Sequence, residues 1–531
     1  MSRIAIVSEH ASPLGVVGGV DAGGQNIYVA HVARQLARLG HRVDVFTRRD
    51  SAALPETVAW LPGVRVIHVR AGPPENVPKE ELLPFMPSFL TDMQGWARSQ
   101  GAQYEIVHAN FFMSGWVGLR FAHASGSALV TTFHALGRVR RLHQGADDGF
   151  ADTRFDIEDE LMACSDRIVA ECPQDLRDMI EHYGVDRARV QIVPCGFDAD
   201  ELEPQDRHMS RALLQWPHDE FTVLQLGRMV PRKGVDTVIR AIAFMKHSMG
   251  RRARLVIAGG PSTDPASNRT PEIDRLMRLA HDEDVAGEVH FMGRCERDRL
   301  SLAYSAADVF VTTPWYEPFG ITPVEAMACG RPVVGAAVGG IQSTVRDQRT
   351  GLLVPPKDPV ALAGCLARLQ DDRAFAEQLG SAGLQRARRF YTWERVARQL
   401  VDVYRNAREC ARARARARAR TGTRAGLHAG GQAGMHVGPN AVSHSDAYAG
   451  ARAGAHAGTH AGTHAGTHAG THAGTHAGTH GGAHAGTHAS AHAATHAATH
   501  ASARAGTRSK AQAASSRASN AGIDHARTAW E

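Results

Sequence analysis

Short apolar runs alternate with amphipathic stretches over most of the chain. Residues 4–8 form an apolar run of strand length. Gly23, Gly24 and Gln25 then open a segment with Val29, Val32, Ala33 and Leu36 at helical spacing, and Gly40 supplies a C-terminal stop. Residues 41–47 predict the next strand. Strand, glycine loop, helix, strand is the opening of a doubly wound α/β domain. Further strands are expected near residues 64–69, 106–109, 129–133 and 167–170, with 190–194 the last of the set.

A second series starts at residues 221–226. Gly227 and a loop follow, then a helix over about 234–249, and strands at 255–258, 289–292, 309–312 and 332–335 with helical stretches between them. Residues 356–389 read as helices. Residues 393–408 read as another, with Val396, Leu400, Val401 and Tyr404 on its apolar side. The pattern predicts an α/β fold of two Rossmann-like domains, residues 1–200 and 201–390, facing a cleft. A helix over 391–410 would return toward the first domain. Ligands of such open sheets bind beyond the carboxyl ends of the strands.

Composition changes this picture only at the end of the chain. From Ala411 to residue 531 the sequence is Ala, Gly, Thr, His and Arg with almost no large apolar residue, so a disordered low-complexity tail is expected over 411–531. The chain's net charge is +6, but the tail holds eleven Arg and one Lys against two Asp and one Glu. The folded part is therefore slightly acidic, and no nucleic-acid partner is expected. From His456 to His500 a histidine stands at every fourth position. This leaves open an alternative in which the tail binds metal or polyanions. Seven scattered Cys, without a C-x-x-C pair, read as reduced cytoplasmic thiols. The N-terminus lacks a signal-peptide pattern and no stretch is long enough to span a membrane, which leaves peripheral membrane contact open.

Two motifs carry chemistry. In LGRMVPRKG, Arg228 and Lys233 lie in a loop between a strand and a helix, where two cations beside a helix N-terminus suit a diphosphate. An ordinary solvated loop fits these residues as well. In WYEPFGITPVEAMACG, Glu317 follows a strand, Gly320 lets backbone approach a ligand, and Ile321 and Thr322 offer N–H groups at the start of a helix. Glu325 then lies within about the first helical turn, where helix capping is the alternative role. Paired carboxylates suit neighbouring sugar hydroxyls.

The E-P-F-G-x-T-x-x-E pattern, with Gly-Arg and Arg-Lys-Gly about ninety residues earlier, resembles the retaining glycosyltransferases of family 4, which have the GT-B fold. The resemblance covers roughly residues 1–408. It implies that Arg228 and Lys233 hold the donor diphosphate, Glu317 meets the donor sugar, Glu325 the ribose, and Gly320, Ile321 and Thr322 the sugar and phosphate. DAGGQNIYV is similar to the loop of sucrose-phosphate synthases and of the inositol-phosphate glycosyltransferases of mycothiol synthesis, which implies that the Gly24 amide meets the diphosphate or the reacting centre. TTFHALGRVRR implies that His134 faces the donor sugar, so that His134, Glu317, Arg228 and Lys233 form the catalytic set. Gln25, Asn26, Lys79 and Arg154 fall where those relatives contact the acceptor. Two departures stand out. Asn110 replaces the second histidine of an H-x-H segment, which leaves His108 open to reading as a buried core histidine. Ala135 stands where the mycothiol enzymes have Thr, so inositol phosphate is not carried over as the acceptor.

The resemblance implies transfer from a nucleoside-diphosphate sugar to a hydroxyl of a small molecule or glycan, such as a phosphorylated sugar or polyol. No cofactor and no metal are expected, since cations and helix amides would neutralise the leaving diphosphate. A nucleotide-sugar epimerase of the same fold is the alternative. Donor base, sugar, acceptor, linkage and oligomeric state are not readable.

Overall fold

The computed structural model describes residues 1–15 and 23–429. The first half contains β1 (Arg3–Val7), β2 (Arg42–Arg48), β3 (Thr57–Leu61), β4 (Val64–Val69), β5 (Ile106–Asn110), β6 (Ala128–Thr132), β7 (Arg167–Ala170) and β8 (Val190–Ile192). They form one sheet in the order β3-β4-β2-β1-β5-β6-β7-β8. Every pair is parallel except β3 with β4. The second half contributes β9 (Thr222–Leu226), β10 (Arg254–Ala258), β11 (Val289–Gly293), β12 (Val309–Thr312), β13 (Val333–Ala336) and β14 (Leu352–Val354). These form an all-parallel sheet in the order β11-β10-β9-β12-β13-β14.

Helices cover both faces of such sheets, which is why central strands read as continuous apolar runs. β1, β5 and β6 are buried along nearly their whole length, as are β12 and β13. The edge strands β3 and β14 were not anticipated. Thr57–Leu61 is only half-buried and Leu352–Val354 has three residues, so neither carries a long apolar signal.

The chain crosses between the halves twice. The Phe197 N–H donates to the Tyr391 carbonyl at 2.8 Å, and the Trp393 N–H donates to the Phe197 carbonyl at 3.1 Å. Trp393 is buried and its indole stacks on His31 with centroids 5.2 Å apart. The final helix, Trp393–Ala429, packs on the first half: Tyr404 meets His108, and Arg408 and Arg414 pair with Glu105 and Asp166. It runs past residue 410, where the sequence pattern placed its end. Ala and Arg are strong helix formers, so the Ala-Arg run extends the helix instead of ending it. The expected disordered tail from 411 therefore begins as helix. Its remainder from 430, with the histidine array, lies outside the described residues. No described helix is long and apolar enough to cross a membrane.

Candidate active site

Both sheets turn the carboxyl ends of their strands toward one cavity of about 850 Å³. The second sheet supplies the segments after β9, β10, β11 and β12. The first supplies residues after β1, β5, β6, β7 and β8.

On the second-sheet wall, local backbone chemistry sets the geometry. Pro231–Lys233 makes a single 3₁₀ turn, and Gly234 caps the next helix, Val235–Met249, at φ 66°. A side chain at Gly234 would run into the Thr313 carbonyl. The Thr313 hydroxyl donates to the Gly234 carbonyl at 2.8 Å, and the Trp315 N–H donates to the Arg232 carbonyl at 2.9 Å. Two loops far apart in sequence are thus pinned side by side. The result is an ion pair between Lys233 Nζ and Glu317 Oε2, whose side chains are 18% and 15% exposed. Burial pushes the Lys233 ammonium down to about 8; Glu317 opposes that shift, while Arg232 and Arg228 add to it. Burial works to raise the Glu317 carboxyl, but Lys233, Arg232 and Arg228 outweigh it and hold it below its ordinary value.

Gly320 precedes the helix Ile321–Ala328 at φ 90°, and Gly320, Ile321 and Thr322 all line the cavity. Glu325 lies beyond the first turn, which contains no acidic residue, so capping is not its role. It is 2% exposed, lines the cavity, and accepts a hydrogen bond from the Tyr304 hydroxyl at 2.9 Å. Arg297 Nη1 stands 3.9 Å from its other oxygen.

The first-sheet wall differs. The glycine loop meets the opposite wall: a Cβ at Gly23 would lie 3.2 Å from Arg228 Nε, and one at Gly24 3.5 Å from Ile321 Cδ1. Gln25 lines the cavity while its Nε2 donates to Ser8 Oγ and to the Asn110 carbonyl, at 3.2 and 3.1 Å. Asn26 also lines it, but both ends of its amide are committed to the loop. Its Oδ1 accepts from the Gly23 N–H at 2.9 Å, and its Nδ2 donates to the Ser12 carbonyl at 3.0 Å. Asn26 thus braces the loop while it lines the cavity. Lys79 lines the cavity, 3.5 Å from Glu80.

Arg154 corrects the sequence reading. Its side chain is 1% exposed and does not reach the cavity wall. Its Nε donates to Glu158, one helical turn on, at 2.8 Å, and its guanidinium lies against the rings of Phe111, Phe112 and Phe150. Another arm donates to the Ala135 carbonyl. As placed, Arg154 supports the 134–137 segment from behind.

His134 lines the cavity, with Nδ1 2.9 Å from Glu171 Oε1 and Nε2 3.0 Å from Asn110 Oδ1. His108 is a core residue: it is 0% exposed, its nitrogens lie 2.8 Å from the Tyr404 hydroxyl and 2.9 Å from Thr132 Oγ1, and burial, with His134 nearby, pushes it down to about 3.

Several cavity residues were not singled out from sequence. Arg232 and Tyr316 stood inside the quoted motifs, and an aromatic with a polar tip beside Glu317 was an available signal. The Tyr316 ring meets Arg232, 5.3 Å from its centroid, and His143, stacked at 5.0 Å, while Gln144 Nε2 bonds its hydroxyl. Arg140 pairs with Asp148 at 2.7 Å and lies 3.5 Å from Glu80. Glu171 had no signal beyond its position after a strand. Among the described residues, one group of side chains is close enough to share a metal ion: His31, Asp198 and Glu201. None lines the cavity, and Arg34 reaches both carboxylates, at 3.1 and 3.4 Å.

Family models match both halves: "Glycosyltransferase Family 4" over residues 22–201 and "Glycosyl transferases group 1" over residues 206–386. D-inositol 3-phosphate glycosyltransferase 1 of Catenulispora acidiphila is 39% identical over 78% of this chain and 97% of its own length. The D-inositol 3-phosphate glycosyltransferase of Acidothermus cellulolyticus is 38% identical, over 76% and 90%. Among solved structures, sucrose-phosphate synthase from Thermosynechococcus elongatus superposes with a TM-score of 0.70 at 34% identity, covering 76% of this chain and 98% of that one. Anabaena HepE in complex with UDP and glucose shares the fold, with a TM-score of 0.58 at 19% identity over 76% and 99%.

Proposed function

Because the chain belongs to the group 1 and family 4 glycosyltransferases of GT-B fold, we propose that its cavity holds a donor against the second sheet and an acceptor against the first. It is a retaining enzyme that takes its sugar from a nucleoside diphosphate. Arg228, Lys233 and the amides of Ile321 and Thr322 receive the diphosphate, Glu317 the sugar, and Glu325 the ribose. The observation that carries this assignment is the Lys233–Glu317 ion pair beside the start of the Ile321–Ala328 helix. Without donor, the two charges neutralise one another. With donor, Lys233 exchanges its carboxylate for a phosphate, and Glu317 is released to accept from sugar hydroxyls.

Transfer then runs on one face of the sugar. The bond from the anomeric carbon to the phosphate oxygen breaks, and the bond to the acceptor oxygen forms. The acceptor proton passes to the departing phosphate. Negative charge grows on that phosphate, where fixed cations and helix amides lower the barrier. These groups replace a divalent metal, so chelators should leave turnover intact. Epimerisation needs no acceptor, and none of the relatives named above is an epimerase.

For the acceptor we propose a phosphorylated sugar or polyol, its phosphate held by Lys79 and Arg140, both on the cavity wall. The relatives named for inositol 3-phosphate and sucrose phosphate support the class. Ala135 speaks for a different member of it. The seven cysteines are unpaired, which fits work in a reducing cytoplasm.

The test is a matrix of UDP-, GDP- and ADP-sugars against polyols and sugars, free and phosphorylated, with and without EDTA. One donor should yield a product retaining the donor's anomeric configuration, with a phosphorylated acceptor preferred and no loss in EDTA. Inverted product, or equal use of free and phosphorylated acceptors, would reject the corresponding part.

A further inference from the structure

The helix Arg297–Ala306 meets Glu325 from both of its ends. Arg297 and Tyr304 lie two turns apart on it and so share a face. The buried Tyr304 hydroxyl donates to Glu325 Oε2 at 2.9 Å, and Arg297 Nη1 stands 3.9 Å from Oε1. The first contact is a hydrogen bond. The second is too long to be one.

Glu201 keeps that gap open. Arg297 Nε and Nη2 both donate to Glu201 Oε2, at 2.9 and 2.6 Å. Glu201 is itself held, since its other oxygen meets Arg34 Nη1 at 3.4 Å. A guanidinium is planar and rigid, so two nitrogens docked on Glu201 fix the direction of the third. Burial works against the Arg297 charge, but Glu325 and then Glu201 outweigh it and raise its pKa above the ordinary value.

A donor and an acceptor thus face one another without touching. Among the described residues, nothing accepts from Nη1 and nothing donates to Oε1. The Glu325 side chain is nevertheless 3% exposed, and both residues line the cavity. A buried carboxylate oxygen without a donor is costly, so the site favours a ligand that supplies one. Chemistry selects which. A phosphate only accepts and would meet the Glu325 charge. An ammonium only donates and would meet the Arg297 charge. A hydroxyl does both, and its oxygen fits at about 2.8 Å from each atom.

We infer that Arg297, aimed by Glu201, is a specificity-determining residue of the donor site: one ribose hydroxyl accepts from Arg297 Nη1 while it donates to Glu325 Oε1. This rests on the donor reading above, in which Glu325 meets the ribose, and gives that ribose a second contact. Glu325 alone reads only the hydroxyl's hydrogen. With Arg297 the oxygen is read as well, so the pair tells ribose from deoxyribose. Glu201 is the positioning residue. By holding two of the nitrogens it keeps Arg297 from closing directly on Glu325.

The test is calorimetry on the full chain with UDP, GDP and ADP and with the 2′-deoxy and 3′-deoxy form of each. The wild type should bind its preferred diphosphate roughly ten- to a hundredfold more tightly than at least one deoxy form, the worth of hydrogen bonds to charged groups. Arg297→Met keeps the stem and removes the donors. It should weaken the ribose form roughly tenfold and that deoxy form hardly at all, so the ratio shrinks. Arg297→Lys keeps the charge without the fork and should shrink the ratio likewise. Glu201→Ala should do the same, whereas Glu201→Gln, which still accepts through its amide oxygen, should retain the ratio. A general loss of stability would weaken both forms together, and a ratio unchanged in both Arg297 variants overturns the inference. If Glu325→Ala erases the ratio while those variants keep it, the ribose site stands and Arg297 has no part in it. If the wild type binds none of the diphosphates, the donor reading itself fails.

Discussion

On the second-sheet wall Arg228, Lys233 and Glu317 face the cavity together, with Lys233 paired to Glu317. On the first-sheet wall each candidate cation has a carboxylate beside it that is not a ligand: Glu80 for Lys79 and Arg140, Asp148 for Arg140, Glu158 for Arg154. On the proposed donor side the charges sit in two loops joined by backbone contacts. The acceptor side draws single residues from scattered elements, where an arginine serves the fold as readily as a ligand. Residue type therefore matches cavity lining on the first of these walls, at Arg228, Lys233 and Glu317, and fails to on the second at Arg154.

Arg154→Ala offers the largest break. It leaves buried Glu158 without its cation and with only the neutral donors Gly137 N–H and Tyr183 hydroxyl, and losing one partner of a buried pair costs about 3–5 kcal/mol of stability. Thermal unfolding should show this, while the acceptor KM of the folded fraction stays near wild type. A raised KM without a lower Tm would move Arg154 back among the acceptor contacts. Next, Lys233→Ala should remove about 2–4 kcal/mol of transition-state stabilisation, a fall of roughly thirty- to a thousandfold in kcat. Nucleoside diphosphate affinity should fall less, because the charge that Lys233 meets grows as the bond breaks. Calorimetry on the two glutamates sharpens the donor wall further. Glu325→Ala should weaken nucleoside diphosphate by about 1.5–3 kcal/mol, the worth of hydrogen bonds to a charged group. Glu317→Ala should leave that binding intact or tighter, since Lys233 is freed, and should depress transfer. The reverse pattern would exchange their roles.

The smallest effect is one of pH. Lys233 sits at about 8 in the free protein, so it is charged below that pH and loses its proton above it. A bound diphosphate favours the charged form. Affinity should therefore be level below pH 8 and fall above it, approaching about tenfold per unit. Lys233→Arg should flatten the curve, and a wild-type curve that stays level to pH 9.5 would mean that the lysine does not meet the phosphate.

Much of this was legible beforehand. Two strand-helix series, the cleft and the donor loops follow from apolar periodicity and from glycines placed just after strands. Gly234 and Gly320 mark positive-φ turns, so the backbone itself announces where the loops sit. Arg154 was misleading because its type suits a phosphate; Glu158 four residues on was the available warning. Asn26 lines the cavity, and its place three residues into a helix also lets its amide brace the turn before it, a second role that residue type alone does not announce. The end of the last helix was missed because the Ala-Arg run was weighed as low complexity, although both residues favour helix. Glu171 was invisible because its partner, His134, comes from another strand end.

Gln144 belongs to the first half of the molecule and Tyr316 to the second, yet their side chains bond across the cavity. A direct bond of this kind favours the approach of the two halves, and it adds to whatever a donor supplies by bridging them. The same contact works against departure. Opening of the cavity to release spent nucleotide must break that bond, which adds to the barrier for release.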